Sequence, residues 1–484
     1  MITVSSALRE RVFGAILILL GVISNQWILT QAFSPDGVIE QTSLKLTIWI
    51  FNILCILAGS MLAVFGTAVL ERLYRHASWG VLVISAVLLG LWLIAVEQIY
   101  VQWGLFRVLG ADYALYAAQA NVLRSGDPTG IYSLQALQPR LQEIHDYYVH
   151  QTTQAIQVPY PPLFAWLFRP FIAPEPHNGF ILWSILNAVA ALYLAWRAAA
   201  FFHDRERPVV ALLVLSSYPV IFALIVGQPI LIFACAVAHC YLALRAGKDF
   251  RAGLYLSLLL FKPQYGVLLG PVLILKRRWG AVSGTAVGAV VIIAGSVLVA
   301  GVPAVLQYPQ ALTGMVGFRT DFPTTMINWH ALILWLSPHV SDPSGMLLET
   351  VLNGLTILLI VFAWKGPWAP GEQRFPILIS VTLVATLLAN HHSHQHGGAL
   401  LAVPLAAAVA QADLSRFTRL VIIGMCLLPA LSYTLMFFLD IPLASRFLTI
   451  ALLICYGTLL AELWARRRTM QDSSNGSLLS VQAT

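Results

Sequence analysis

The sequence predicts an all-α, polytopic integral membrane protein, and three observations predict it. Of its 484 residues 59% are hydrophobic and only 10% charged, whereas an ordinary soluble domain carries about 25% charged residues. The apolar residues come in long runs, many near or above the ~18 residues that cross a bilayer as a helix. Inside such runs no water satisfies the backbone polar groups, so helices are the structure open to them.

The elements follow in chain order. "MITVSSALRERVFGAILILLGVISNQWIL" has a positive start, but its apolar stretch is long and no A-x-A-like site follows, so it reads as a first span rather than a cleaved signal peptide. Full-length spans are expected at 11–31, 45–70, 79–101, 178–200, 208–226, 228–246, 281–301, 345–364, 418–437 and 445–464. The runs at 252–261, 264–275, 376–390 and 398–411 are shorter and read as two broken hairpins. With these the count reaches about 12–14 membrane helices. Three regions are expected: an additional N-terminal helix pair at 1–78, a membrane domain at 79–465, and a polar, Ser-rich tail at 466–484 that reads as disordered.

Charge sets the expected orientation. The net charge of +7 comes from short Lys and Arg clusters between apolar runs, so it reports topology and not a nucleic-acid partner. Arg9/Arg11, Arg72/Arg75, Arg197/Arg205/Arg207, Arg245/Lys248/Arg251, "KRR" at 276–278, Lys365/Arg374, Arg416/Arg419 and "ARRR" ending at Arg468 can all be cytoplasmic together. Both termini are then cytoplasmic, and the hairpin tips "FKPQ" and "NHHSHQH" point outward from a plasma (inner) membrane, toward the periplasm or exterior. The longest outward loop, 102–177, holds an Ala-rich helical piece at 113–124 and the amphiphilic "VPYPPLFAWLFRPF", so it is expected to be structured. The five cysteines lie in apolar runs, which argues against a disulfide framework or zinc site.

Ionisable residues at membrane depth are costly and mark candidate sites. Asp112, after the 79–101 span, reads two ways: as the N-cap of "YALYAAQANVL", or as a general base whose apolar surroundings raise its pKa toward a useful range. Lys262 in "LLLFKPQYGVLL" sits in apolar sequence beside Pro263, which breaks a helix; a cation at a helix break suits an anion, against the alternative of snorkelling. "ANHHSHQHGG" packs four histidines into six residues, fit for a phosphate or sugar contact, while a dedicated metal site is unforced. Gln228 in "VGQPIL" and Tyr160 in "VPYPPLF" are weaker signals. The carboxylates Asp127, Glu143 and Asp146 are expected to face water. A carboxylate, a lysine and imidazoles on one outer face match group transfer from a phosphorylated lipid, with a base for the acceptor hydroxyl and cations for the departing phosphate.

The succession "GADYALYAAQANVLRSGDPTGIYS", "VPYPPLFAWLFRPF", "VGQPILIF", "LLLFKPQYGVLLGPVLILKRRW" and "ANHHSHQHGGALLAVPL" resembles glycosyltransferase family 87, whose members have the GT-C fold, over about residues 80 to 460. The resemblance implies an enzyme that moves a hexose, commonly mannose, from a polyprenyl-phosphate sugar to a glycan or glycolipid acceptor at the outer face of the bilayer, with inversion. It implies Asp112 as the base; Lys262, Gln264, His392, His394, Gln228 and Tyr160 are then the expected donor phosphate or sugar contacts, and no metal or cofactor is expected because fixed cations can offset the developing charge. Two departures stand out. The helices near 11–31 and 45–70 look like an addition, and of the family's S-P-H-S-H-x-Y-D pattern His392 and His394 match while the proline, tyrosine and aspartate are replaced. A lipid or solute transporter or flippase, and a non-catalytic membrane assembly protein, are the rival readings.

Overall fold

A computed structural model describes residues 67–103, 108–146, 158–172, 175–317, 326–336, 343–390, 392–439 and 447–481. The expected spans near 11–31 and 45–66 lie outside these residues. Among those described the chain is helical throughout, with one isolated antiparallel bridge between Met326 and His394.

The helices run in order as α1 Thr67–Trp103, α2 Ala111–Arg124, α3 Leu134–Asp146, α4 Pro162–Phe168, α5 Pro176–Ala199, α6 Arg207–Ser216, α7 Tyr218–Val226, α8 Ile230–Arg245 and α9 Asp249–Ser257. They continue as α10 Leu269–Leu275, α11 Trp279–Gly317, α12 Trp329–Leu336, α13 Pro343–Ala363, α14 Arg374–Ala389, α15 Ala402–Val409, α16 Arg416–Leu439 and α17 Phe447–Val481. Six of these contain a stretch long and apolar enough to cross a bilayer. A seventh span forms if α6 and α7 are one helix bent by 49°; the bend falls at Ser217, just before Pro219, which cannot donate to the preceding turn. Between α2 and α5 the expected outer loop is indeed structured, with α3, α4 and two 3₁₀ turns at Gly130–Tyr132 and Arg169–Phe171.

Several elements add detail to the sequence reading or differ from it. The 228–246 segment is the 16-residue α8, ~24 Å long and so shorter than the ~30 Å hydrocarbon layer, because Gly227, Gln228 and Pro229 form the turn that precedes it. Both hairpins have the expected short arms, but 3₁₀ turns complete them, at Leu258–Phe261 and Pro263–Tyr265 in the first and Gln395–Leu401 in the second. Helix α11 breaks at Gly301 (φ 77°, ψ 166°), where the expected span ends, and a second helical segment runs on past the kink to Gly317. Helix α17 reaches Val481, so the polar stretch expected to be a disordered tail is helical almost to its end, since extending a formed helix needs no new nucleus.

Small residues bring α9 against α11. Gly280, Gly284 and Gly288 recur every four residues along α11, and a Cβ on Gly284 would lie 2.1 Å from the Phe250 carbonyl oxygen. A Cβ on Gly253 of α9 would lie 1.9 Å from the carbonyl oxygen of Ala281. The backbones therefore touch, which is how membrane helices gain packing without a hydrophobic driving force. This seam holds the helix that leads to Lys262.

Residues from three of the basic clusters that the charge pattern assigned to one side meet at one end. Lys276 Nζ donates to the Gly366 carbonyl (2.6 Å), Arg374 to that of Lys365 (3.3 Å) and Arg467 to that of Ala363 (2.8 Å). Arg278 pairs with Asp249 and lies 5.3 Å from the Trp368 ring centroid. From this end α14, 16 residues long, leads ~24 Å away to Asn390 and the histidine turn.

Candidate active site

Two glycines set the first contact. Gly110 has φ 78° and is the N-cap of α2; Gly227 has φ 78° and ends α7. Left-handed backbone is cheap only for glycine. The Gly110 amide donates to the Ile225 carbonyl at 2.7 Å, and a Cβ on Gly227 would sit 2.9 Å from that of Tyr113. The start of α2 is thereby pressed against the end of α7. Trp183 Nε1 donates to the Gly227 carbonyl at 2.7 Å and fixes the turn from α5.

This docking decides between the two readings of Asp112. Gly110, not Asp112, is the N-cap, and Asp112 lies in the first helical turn, where the helix dipole favours a negative charge. Its Oδ2 accepts a 2.6 Å hydrogen bond from Gln228 Nε2. Gln228 Oε1 accepts in turn from Lys262 Nζ at 3.2 Å, and Lys262 Nζ lies 3.4 Å from His396 Nε2. Carboxylate, amide, ammonium and imidazole thus form one chain, drawn from four stretches of sequence.

Lys262 is held by a break rather than by a helix. Lys262 itself joins the two 3₁₀ turns of the first hairpin, with Pro263 opening the second, so the lysine stands at the tip with only 8% of its surface exposed. It does not snorkel. Its ammonium lies 5.8 Å from the Tyr160 ring centroid and 5.6 Å from that of Tyr265, within cation–π range. Among the described residues no carboxylate lies within ion-pair distance of it. Burial pushes its pKa down to about 8, with Asp112 acting against that fall. The Asp112 carboxyl is raised above the ordinary carboxylate range by burial, opposed by the Gln228 hydrogen bond and then by Lys262.

The histidine turn differs from the expected one in which imidazole reaches the lysine. His396, buried and also 3.4 Å from the Tyr265 hydroxyl, is the one beside Lys262. His392 and His394 pair with each other, Nε2 to Nε2, at 3.0 Å, and His394 stacks on His396 with centroids 5.6 Å apart. The signal was present: spacing by two in extended chain puts alternate side chains on one face, and His394 is extended at φ −100°, ψ 164°. An unexpected segment braces the turn. The Ile327 amide donates to the Ser393 carbonyl (2.8 Å) and Asn328 Nδ2 to that of Asn390 (2.8 Å).

Tyr160 stacks on Phe164 at 4.2 Å and meets Tyr116 edge-on at 5.4 Å, forming the aromatic wall beside the chain of polar groups. Gln264 stands next to the hairpin tip but outside that chain; its carbonyl accepts from Asn390 Nδ2 at 3.4 Å. Asp127 and Glu143 are exposed, the first closing a local turn to the Gly130 amide (2.9 Å), the second pairing with Arg140 (2.9 Å). The Asp146 side chain lies outside the described residues.

The model of glycosyltransferase family 87 matches residues 159–404, just over half of the chain. The chain belongs to glycosyltransferase family 87. No curated protein and no solved structure gives a match. With its six apolar helices of spanning length, this family 87 protein is a polytopic membrane glycosyltransferase. The matched stretch is shorter than the 80–460 over which the sequence resembles the family. It holds Tyr160, Gln228, Lys262, Gln264 and the whole histidine turn. Asp112 precedes it, and what joins it to the candidate site is the hydrogen bond to Gln228.

Proposed function

We propose that this glycosyltransferase moves a hexose, with mannose the first candidate, from a polyprenyl-phosphate sugar to a hydroxyl of a glycan or glycolipid at the outer face of the plasma membrane. The acceptor oxygen forms the new bond to the anomeric carbon while the bond from that carbon to the phosphate oxygen breaks, with inversion. Asp112 takes the acceptor's proton, and the phosphate leaves on its polyprenol as the anion. Lys262 offsets that charge, with His396 beside it. Fixed donors aimed at developing charge in a site shielded from water are effective because they need no reorganisation. His392 and His394, partly open to solvent, border the same face and are candidate sugar contacts.

The observation that supports this reading is the buried ammonium of Lys262, which has neutral partners within hydrogen-bond reach and an acid one residue further along the chain. Such a cation is left to seek an anion from outside the protein, and a phosphate on a membrane-borne sugar is the anion a membrane glycosyltransferase meets. The test is incubation of the purified protein with a panel of polyprenyl-phosphate hexoses and an acceptor lipid extract, read by mass spectrometry. Hexose transfer from at least one donor is expected, and Asp112→Asn is expected to lower it by about 10²–10⁴-fold, the range for loss of a general base. No transfer from any donor, or full activity in Asp112→Asn, contradicts the proposal.

A further inference from the structure

Gln228 is only 6% exposed, and both ends of its amide are engaged. Nε2 reaches Asp112 and Oε1 receives Lys262, so the two partners fix which end is oxygen and which nitrogen. The backbone around it is equally fixed, between Gly227 in the left-handed region and Pro229. The other titratable groups around the pair are Tyr116 from α2, Tyr160 from the stretch before α4, Tyr265 from the first hairpin and His396 from the second, with His392 and His394 behind it. Lys262 is the cation of this set. A carboxylate and an ammonium this close, both shielded from water, attract strongly, and a direct ion pair would consume both charges.

We infer that Gln228 is a positioning residue: it holds the Asp112 carboxylate and the Lys262 ammonium apart while hydrogen-bonding to each, so that both keep a free face for substrate. The inference rests on the reading of Asp112 as the base. With one carboxylate oxygen taken by the amide, the other stays open to an acceptor hydroxyl. With one ammonium proton given to the amide, others remain for a phosphate. The role differs from the donor contact that the family resemblance implied for this residue.

Two substitutions separate the two parts of that role. Gln228→Leu keeps the spacing and removes both hydrogen bonds, so the Asp112 carboxylate loses its donor and binds its proton more tightly. Gln228→Ala removes the spacing as well and lets the ammonium close on the carboxylate, which weakens proton binding. The readout is modification of protonated Asp112 by an apolar carbodiimide across a pH series in the purified, full-length protein, quantified by peptide mass spectrometry with Asp112→Asn as the blank. Relative to the unsubstituted protein, the labelling midpoint is expected about one pH unit higher in Gln228→Leu, the scale of a lost hydrogen bond to a charged form. In Gln228→Ala it is expected below that of Gln228→Leu. An unmoved midpoint in Gln228→Leu overturns the hydrogen-bonding part, and a midpoint in Gln228→Ala at or above the Leu variant's overturns the spacing part. If Gln228→Leu does not elute as a folded species, Gln228→Met, of similar reach and without an amide, supplies the comparison, and if Gln228→Ala does not, Gln228→Val takes its place. Labelling needs no turnover, so failure of sugar transfer in the unsubstituted protein defeats the proposed function and leaves this measurement readable.

Discussion

The ammonium of Lys262 has neutral acceptors around it and an aromatic wall at its back, and its charge is held at a cost. Because burial lowers its pKa to about 8, the cation is lost as pH rises through that value, and with it the attraction for a leaving phosphate. Asp112 acts in the opposite sense: its raised pKa means that the base is lost, by protonation, as pH falls toward a value above the ordinary carboxylate range. The initial rate of transfer is therefore expected to follow a bell-shaped pH profile with its alkaline limb near 8, and Lys262→Arg is expected to carry that limb upward by more than one pH unit, since a guanidinium stays charged. An alkaline limb unchanged in Lys262→Arg assigns it to another group. At this scale the sequence was informative where cost made residues stand out: an acid and a lysine in apolar surroundings draw attention because burial must be compensated. The imidazole that reaches Lys262 was not separable from its neighbours, since His392, His394 and His396 share a face and only the path of the turn decides which one arrives.

At the scale of elements, the site depends on backbones that touch. Lys262 follows α9, and α9 is registered on α11 by Gly253 and Gly284, each facing a carbonyl at a distance no Cβ tolerates. Gly284→Leu is expected to destabilise the protein by at least about 1–3 kcal/mol, the usual cost of overpacking, seen as a lower midpoint in thermal unfolding by intrinsic fluorescence. A larger loss of donor use than of folded yield is expected as well, because the displaced helix carries the cation with it. An unchanged midpoint would show that the seam yields at no cost. Span positions were legible because apolar length alone decides them; most boundaries fall within a few residues of the observed ones. What pattern could not give was continuity across breaks. Past Gly301, where the expected span ends and the backbone is not helical, a second helical segment runs on to Gly317.

For the whole molecule, the charge pattern and the coordinates agree on which groups share an end. Lys276, Arg374 and Arg467 meet at the turn after α13, while the polar chain from Asp112 to His396 lies at the other end of α14. Orientation in the bilayer then follows as a prediction from the excess of positive charge at the first end. In intact cells, a membrane-impermeant maleimide is expected to label Glu143→Cys without lysis and Lys365→Cys only after it. The reverse pattern would turn the site toward the cytoplasm and remove the outward-facing donor.

The polar chain also has an order of assembly. Asp112 enters the membrane early, Gln228 and Lys262 reach it after several more helices, and His396 follows with the second hairpin. During synthesis the chain holds the Asp112 carboxylate with no amide to orient it, then the Lys262 ammonium with no imidazole beside it. A chain cut short before that last hairpin is therefore expected to carry the polar chain incomplete, without the His396 that sits beside Lys262.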